Sequence, residues 1–139
     1  MKKSQFQFTD PVLTKLTFSL NPKFRPENDG VVSLVTSFQT KISAPENPKD
    51  PALVALEVSI RGEEENNSPF KIEAEMAGQF TWLGENVAEA YMEKLLEQNA
   101  SALLLGYLRP IVAFATMQAG LRPYQIPFMN FAGEEREEE

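Results

Sequence analysis

Few side chains in this chain are spaced to do chemistry. Glu73 and Glu75 stand two apart in a run of alternating residues, so their carboxylates point the same way. Such a pair can serve as an acid pair or as half of a site for a hard metal ion. Lys71 shares their face, and the pattern around them is that of an exposed sheet surface. Glu63, Glu64 and Glu65 are adjacent but lie in a polar loop and read as a solvated charge run. Histidine and cysteine are both absent, which removes thiol nucleophiles, disulfides and zinc sites built from those residues. With no glycine-rich phosphate loop and no dinucleotide fingerprint either, the residues point away from an enzyme and imply no cofactor or metal.

The apolar residues are the more informative ones. Ser101 to Gly120 is apolar nearly all round, with only Arg109, Thr116 and Gln118 clearly polar. Ser101 is a good N-cap and Gly120 a good C′ residue, with Pro123 as a stop, so the spacing predicts a helix over this stretch. Pro110 should bend it where Gly106 lies four residues back. A surface helix needs only one apolar stripe. The opposite face must find a lipid, a ligand or another subunit. Arg109-Pro110 at the centre speaks against a membrane span.

The elements that flank this helix follow from their periods. Leu16, Phe18 and Leu20 alternate with polar residues as a first strand. Val32, Leu34, Thr36, Phe38, Thr40 and Ile42 share a face in a second. Val54 to Ile60 alternate in a third, and Phe70 to Trp82 in a fourth. Asn28-Asp29-Gly30 is a turn signal within a proline-containing connection. No connection is long enough for a crossover helix, so the strands should form an antiparallel meander with one dry face. A helix of about three turns, capped by Asn86 and ended at Gln98-Asn99, precedes the long one. The expected fold is α+β: a four-stranded antiparallel sheet followed by two helices packed on one face. Residues 1–133 read as a single domain and 134–139 as a disordered acidic tail.

Composition narrows the function classes. Of 139 residues, 42% are hydrophobic and 24% charged, as in an ordinary globular domain. The tail carries −4 of the net charge of −7, leaving −3 for the body. There is no basic stripe, so nucleic acid is not an expected partner. Met1-Lys2-Lys3 is not followed by an apolar run and does not read as a signal peptide. A soluble protein of the cytoplasm, with no membrane contact, is the expectation. After Gly120, Pro123-Tyr124-Gln125-Ile126-Pro127-Phe128-Met129-Asn130-Phe131 reads as an extended apolar segment laid against something. Trp82, Tyr124, Phe128 and Phe131 are candidates to line a groove for apolar peptide.

The residues from Ala102 to Phe131 resemble the C-terminal part of the SecB export chaperone family. They show a leucine-rich turn, Leu103-Leu104-Leu105, then Tyr107 and Arg109, a closing Gly120, and an extended segment ending Pro127-Phe128-Met129-Asn130-Phe131. Phe70 to Trp82 with Gly78 looks like the family's last long strand. The resemblance implies an ATP-independent holdase for unfolded polypeptides, assembled as a homotetramer (a dimer of dimers) with the long helix between its own sheet and partner helices. Tyr107, Ile111 and Phe114 would then form the oligomer interface, and Glu73 and Glu75 an acidic docking face. The family docks the SecA motor partly through acids in the first strand. Lys15-Leu16-Thr17-Phe18-Ser19 has none, and of the family's Leu-x-Glu only Glu73 stands in Lys71-Ile72-Glu73. Pro110 also replaces a polar helix residue. Chaperone activity therefore carries over better than SecA docking, and an antitoxin of a toxin–antitoxin system is an alternative client. From a different class, an apolar ligand or lipid carrier with the helix lidding a cavity would also use these residues, as would a structural oligomer subunit without a client.

Overall fold

The computed structural model describes residues 1–25, 32–47, 49–64 and 67–132. The Asn28-Asp29-Gly30 turn, Glu65 and the acidic tail lie outside them. Four strands, β1 (Phe6–Leu20), β2 (Leu34–Ser43), β3 (Ala52–Gly62) and β4 (Phe70–Trp82), precede one continuous helix, Glu89–Gln118. Its parts are α1 (Glu89–Lys94), a π-helical turn over Leu95–Asn99, and α2 (Ala100–Gln118).

The sheet is antiparallel with order β1-β4-β3-β2. β2, β3 and β4 are the expected meander, but β1 pairs with β4 and not with β2. The reason lies in length and in aromatic pairing. β1 and β4 are the two long strands, at 15 and 13 residues. Phe6 stacks on Phe80 at 5.5 Å and Phe18 on Phe70 at 5.9 Å, contacts that only this pairing allows. Asn21 and Arg25 hydrogen-bond Pro69, Ser68 and Asn67, so the chain leaving β1 passes the β3–β4 loop on its way to β2. β1 also starts ten residues earlier than Leu16. Asp10 and Pro11, which break the sequence pattern, sit at a register shift between Thr9 and Val12, where a bulge absorbs them.

The dry face joins Val54, Leu56, Val58 and Ile60 of β3 to Ile72, Ala74, Met76 and Phe80 of β4. Against it the helix lays Leu96, Ala100, Leu104, Leu108, Val112 and Thr116, spaced by four and fully or almost fully buried. Leu95, Ser101 and Leu105 are buried beside this ridge, so the covered stripe is two rows wide and the rest of the helix stays bare. Two corrections follow for the helix. Asn86 does not cap it, since the helix begins after Ala88 with no side-chain cap. Gln98-Asn99 does not end it, and Ser101 is not an N-cap. Ser101 is buried inside the helix, its hydroxyl 2.9 Å from that of Thr40 on β2. Packing of Leu95, Leu96 and Ala100 outweighs the weak helix preference at Asn99. The C-terminus behaves as read: Gly120 has φ +82°, and the amides of Gly120 and Leu121 bond back to Met117 and Thr116 at 3.0 and 3.1 Å. The helix also runs through Pro110 without interruption.

Ser101→Gly separates the two placements of that serine. Glycine at an N-cap costs only a few tenths of a kcal/mol, whereas in a helix interior it costs about 1 kcal/mol, with the lost hydrogen bond adding a similar amount. Urea unfolding should show the larger loss; a loss of a few tenths would restore Ser101 to a cap.

Candidate functional site

The helix is wider in its apolar surface than the sheet that covers it. Opposite the buried ridge, Tyr107 is 41% exposed, Phe114 58% and Met117 48%. β1 adds to this surface, because its helix-side residues Leu13, Leu16 and Leu20 remain exposed. Between them runs an open groove of about 560 Å³ lined by Leu16, Phe18, Pro110, Ile111, Phe114 and Ala115. Almost all of its wall is apolar. The first half of β1, missed in the sequence because Asp10-Pro11 reads as a break, extends this surface through Phe8, which meets Tyr107 edge-on at 6.3 Å. The three interface candidates thus share one place: Tyr107, Ile111 and Phe114 lie along the β1 side of the helix.

The four groove candidates do not share one place. Tyr124 and Phe131 lie over β2. The Tyr124 hydroxyl is 3.1 Å from that of Thr36, and Phe131 meets Phe38 edge-on at 6.0 Å. Trp82 is at the opposite side of the sheet, facing Phe6 across the β1–β4 ladder and Tyr91 at 6.1 Å. Its Nε1 has no hydrogen-bond partner among the described residues. Phe128 is 94% exposed, with the Arg109 guanidinium 4.8 Å from its ring centre.

Four ties hold the extended segment after Gly120. Thr116 donates its hydroxyl to the carbonyls of Val112 or Ala113 and accepts the Tyr124 amide at 2.8 Å. Ile126 is buried in the core. Arg109 donates to the Pro127 carbonyl at 2.7 Å. Phe131 closes the series on β2. A second groove, also about 560 Å³, lies beside that end, lined by Phe38, Gln39, Thr40, Ile42, Glu97 and Phe131. Both grooves are open. Between helix and sheet, Leu104, Leu108 and Val112 pack into the core, and a cavity of about 380 Å³ lies nearer the start of the helix, lined by Ala44, Ala52, Val87, Met92 and Leu96 among others.

Glu73 and Glu75 do point the same way, on the wet face. Each has a cation: Lys15 lies 2.6 Å from Glu73 and 3.5 Å from Glu57, and Lys41 lies 3.5 Å from Glu75. Thr14 also donates to Glu75 at 2.7 Å. The hydrogen bond from Lys15 holds the Glu73 carboxyl below its ordinary value, and the same bond raises the Lys15 ammonium. Among the described residues no group of three or more potential ligands is placed to hold a metal ion. By length and composition the helix Glu89–Gln118 is apolar enough to cross a membrane, yet its buried ridge is committed to the sheet.

Two measurements check these contacts. Arg109→Ala should leave the helix intact while the backbone NMR order parameters of Gln125 and Phe128 to Asn130 fall; unchanged order parameters would show that Arg109 does not hold the segment. For the wet face, the depressed Glu73 supports folding above its ordinary pKa, and that support is lost as pH falls through the lowered value. The raised Lys15 supports folding below its ordinary pKa, until pH rises through the raised one. In a carboxyl NMR titration, Lys15→Met should move the Glu73 midpoint up toward 4.5; an unmoved midpoint would remove the ion pair.

Comparison with known proteins places this geometry. The chain is 26% identical over 133 residues to the uncharacterized protein MJ0357 of Methanocaldococcus jannaschii, covering 94% of this chain and 83% of that one. The structure of the Mycobacterium tuberculosis SecB-like chaperone Rv1957, solved with a ChAD peptide from the Rv1956 HigA1 antitoxin, is similar in fold. Its TM-score is 0.72 at 17% identity, over 90% of this chain and 91% of that one. The family model of the preprotein translocase subunit SecB matches residues 32–134, from just before β2 to past the end of the extended segment. This chain belongs to the SecB family.

Proposed function

We propose that this protein is an ATP-independent holdase that keeps non-native polypeptides from aggregating by covering their apolar segments. One observation carries the reading: the apolar segment after Gly120, fastened over β2 with Phe128 94% exposed and Met129 also open to solvent beside a groove that Phe131 helps to line. Continuous apolar surface of this kind on a soluble protein marks a site for another macromolecule. An open trough suits a chain passing through it, where an enclosed cavity would suit a small ligand. Membership in a family of chaperones supports binding over catalysis.

The finer reading has three parts. The subunits assemble as a homotetramer, a dimer of dimers, in which Tyr107, Ile111 and Phe114 meet a second copy. Trp82, Tyr124, Phe128 and Phe131 serve the client, Phe128 most directly because it stands free of the core. The protein works in the cytoplasm, as its acidic, cysteine-free sequence suits. Between client classes, an antitoxin-type client fits better than hand-over to SecA. Glu73 and Glu75 would have to give up Lys15 and Lys41 to present an acidic docking face, and Arg61 and Lys71 on the same face offset them further. A SecB-like relative bound to an antitoxin peptide gives that alternative a precedent of fold.

Light scattering of a chemically denatured client, diluted into buffer with one equivalent of the protein, tests the reading. Aggregation should slow without added nucleotide. Phe128→Ser removes a side chain that contributes nothing to the core, so the fold should be kept while half-maximal suppression requires up to about tenfold more protein. Aggregation proceeding as in buffer alone would end the holdase assignment.

A further inference from the structure

The start of the helix is lightly anchored. α1 has no buried residue and begins without a side-chain cap. Tyr91 meets Trp82 edge-on at 6.1 Å, and Met92 packs against the core. Across from α1 stands the connection between β2 and β3. Among the described residues one hydrogen bond reaches from this connection toward the helix, from the Lys49 ammonium to the Gly84 carbonyl at 3.4 Å.

Between the two lies the cavity of about 380 Å³, its wall mainly apolar. Ala52 and Leu96 are buried in that wall, and Val87 and Met92 are half-buried. Four carboxylates complete the lining, with no lysine or arginine among them. Glu46 and Asp50 belong to the β2–β3 connection, Glu89 and Glu93 to α1. On the wet face Glu57, Glu73 and Glu75 each have a lysine, but among the described residues these four form no ion pair. Glu89 and Glu93 stand four apart on one helix face, where like charges repel. Nor are any three of the four placed to share a metal ion. The charges are thus two pairs carried by two different elements, and the apolar side chains belong to the cavity they share.

A neutral apolar ligand would leave both pairs without a counter-charge, and a hydrated metal ion would leave the apolar wall wet. A hydrocarbon chain with a cation at each end satisfies both. We propose that this cavity is a binding site for a linear diamine or polyamine, its methylenes against Ala52, Val87, Met92 and Leu96 and its ammonium groups at the pairs Glu46–Asp50 and Glu89–Glu93. The site shares no lining residue with either groove described above, and it does not rest on the holdase reading. Bound there, such a ligand joins α1 to the β2–β3 connection and relieves the repulsion between Glu89 and Glu93.

Amide NMR of the full-length protein, titrated at fixed ionic strength with cadaverine, magnesium or pentylamine, tests the site. Cadaverine should shift the amides of Glu46, Asp50 and residues 87–93 to saturation. It should bind at least about tenfold tighter than magnesium, which has the same charge without the hydrocarbon, or pentylamine, which has the hydrocarbon but a single ammonium. Because α1 has no buried residue, Glu89→Gln combined with Glu93→Gln keeps the fold. That double variant should weaken cadaverine by about tenfold or more, whereas Glu73→Gln on the wet face should leave it unchanged. Magnesium binding as tightly would reduce the cavity to an acidic cluster and overturn the proposal. Pentylamine binding as tightly would fit the site to one basic side chain and overturn the diamine. Shifts spread over the wet face, or none that saturate, would overturn the site itself.

Discussion

One constraint shapes the molecule: a helix apolar on every side meets a sheet that can cover only one stripe of it. Leu96, Ala100, Leu104, Leu108, Val112 and Thr116 give that stripe and are buried. Tyr107, Phe114 and Met117 give the rest and remain in contact with solvent in the isolated subunit. At about 25 cal/mol per Å² of apolar surface, leaving such a face wet forgoes several kcal/mol that a partner can recover. Stability of the subunit and association with other chains therefore draw on the same helix.

The other elements are placed around this division. β3 and β4 form the dry floor, while β1 extends beyond the helix and leaves Leu13, Leu16 and Leu20 uncovered. On the other side, β2 would be equally bare without the segment after Gly120. Thr116, Arg109 and Ile126 fasten that segment, and Tyr124 and Phe131 carry it over Thr36 and Phe38. The two sides are thus unequal. One offers a broad apolar face suited to a rigid partner such as another copy. The other offers the extended segment, with Phe128 free beside a narrow groove, suited to an extended chain.

Much of this was legible in the residues. The period of two in β3 and β4 placed their dry faces correctly, since every second residue there is apolar and the strands are central. Gly120 announced the helix end because only a positive φ closes the last turn this way. What local pattern could not supply was strand order. β1 lies beside β4, a choice made by strand length and by Phe6 and Phe18 finding Phe80 and Phe70, and this leaves β2, under Tyr124 and Phe131, as the other edge. Ser101 and Asn86 both misled, because the helix starts after Ala88, already past Asn86 and well short of Ser101. Each has cap chemistry, but Ser101 satisfies its hydroxyl across the core at Thr40, and packing carries the helix past it. The period of two also put Glu73 and Glu75 on one face. Lys15 and Lys41 come from other strands, so the neutralising partners were invisible from the run itself.

The oligomeric mass tests most directly whether the exposed helix face is an interface between copies. Size-exclusion chromatography with light scattering on the full-length protein at micromolar concentration should give a mass near four times 15.6 kDa, falling when Phe114 is replaced by glutamate. A stable monomer of 15.6 kDa, with Phe114→Glu eluting unchanged, would contradict it.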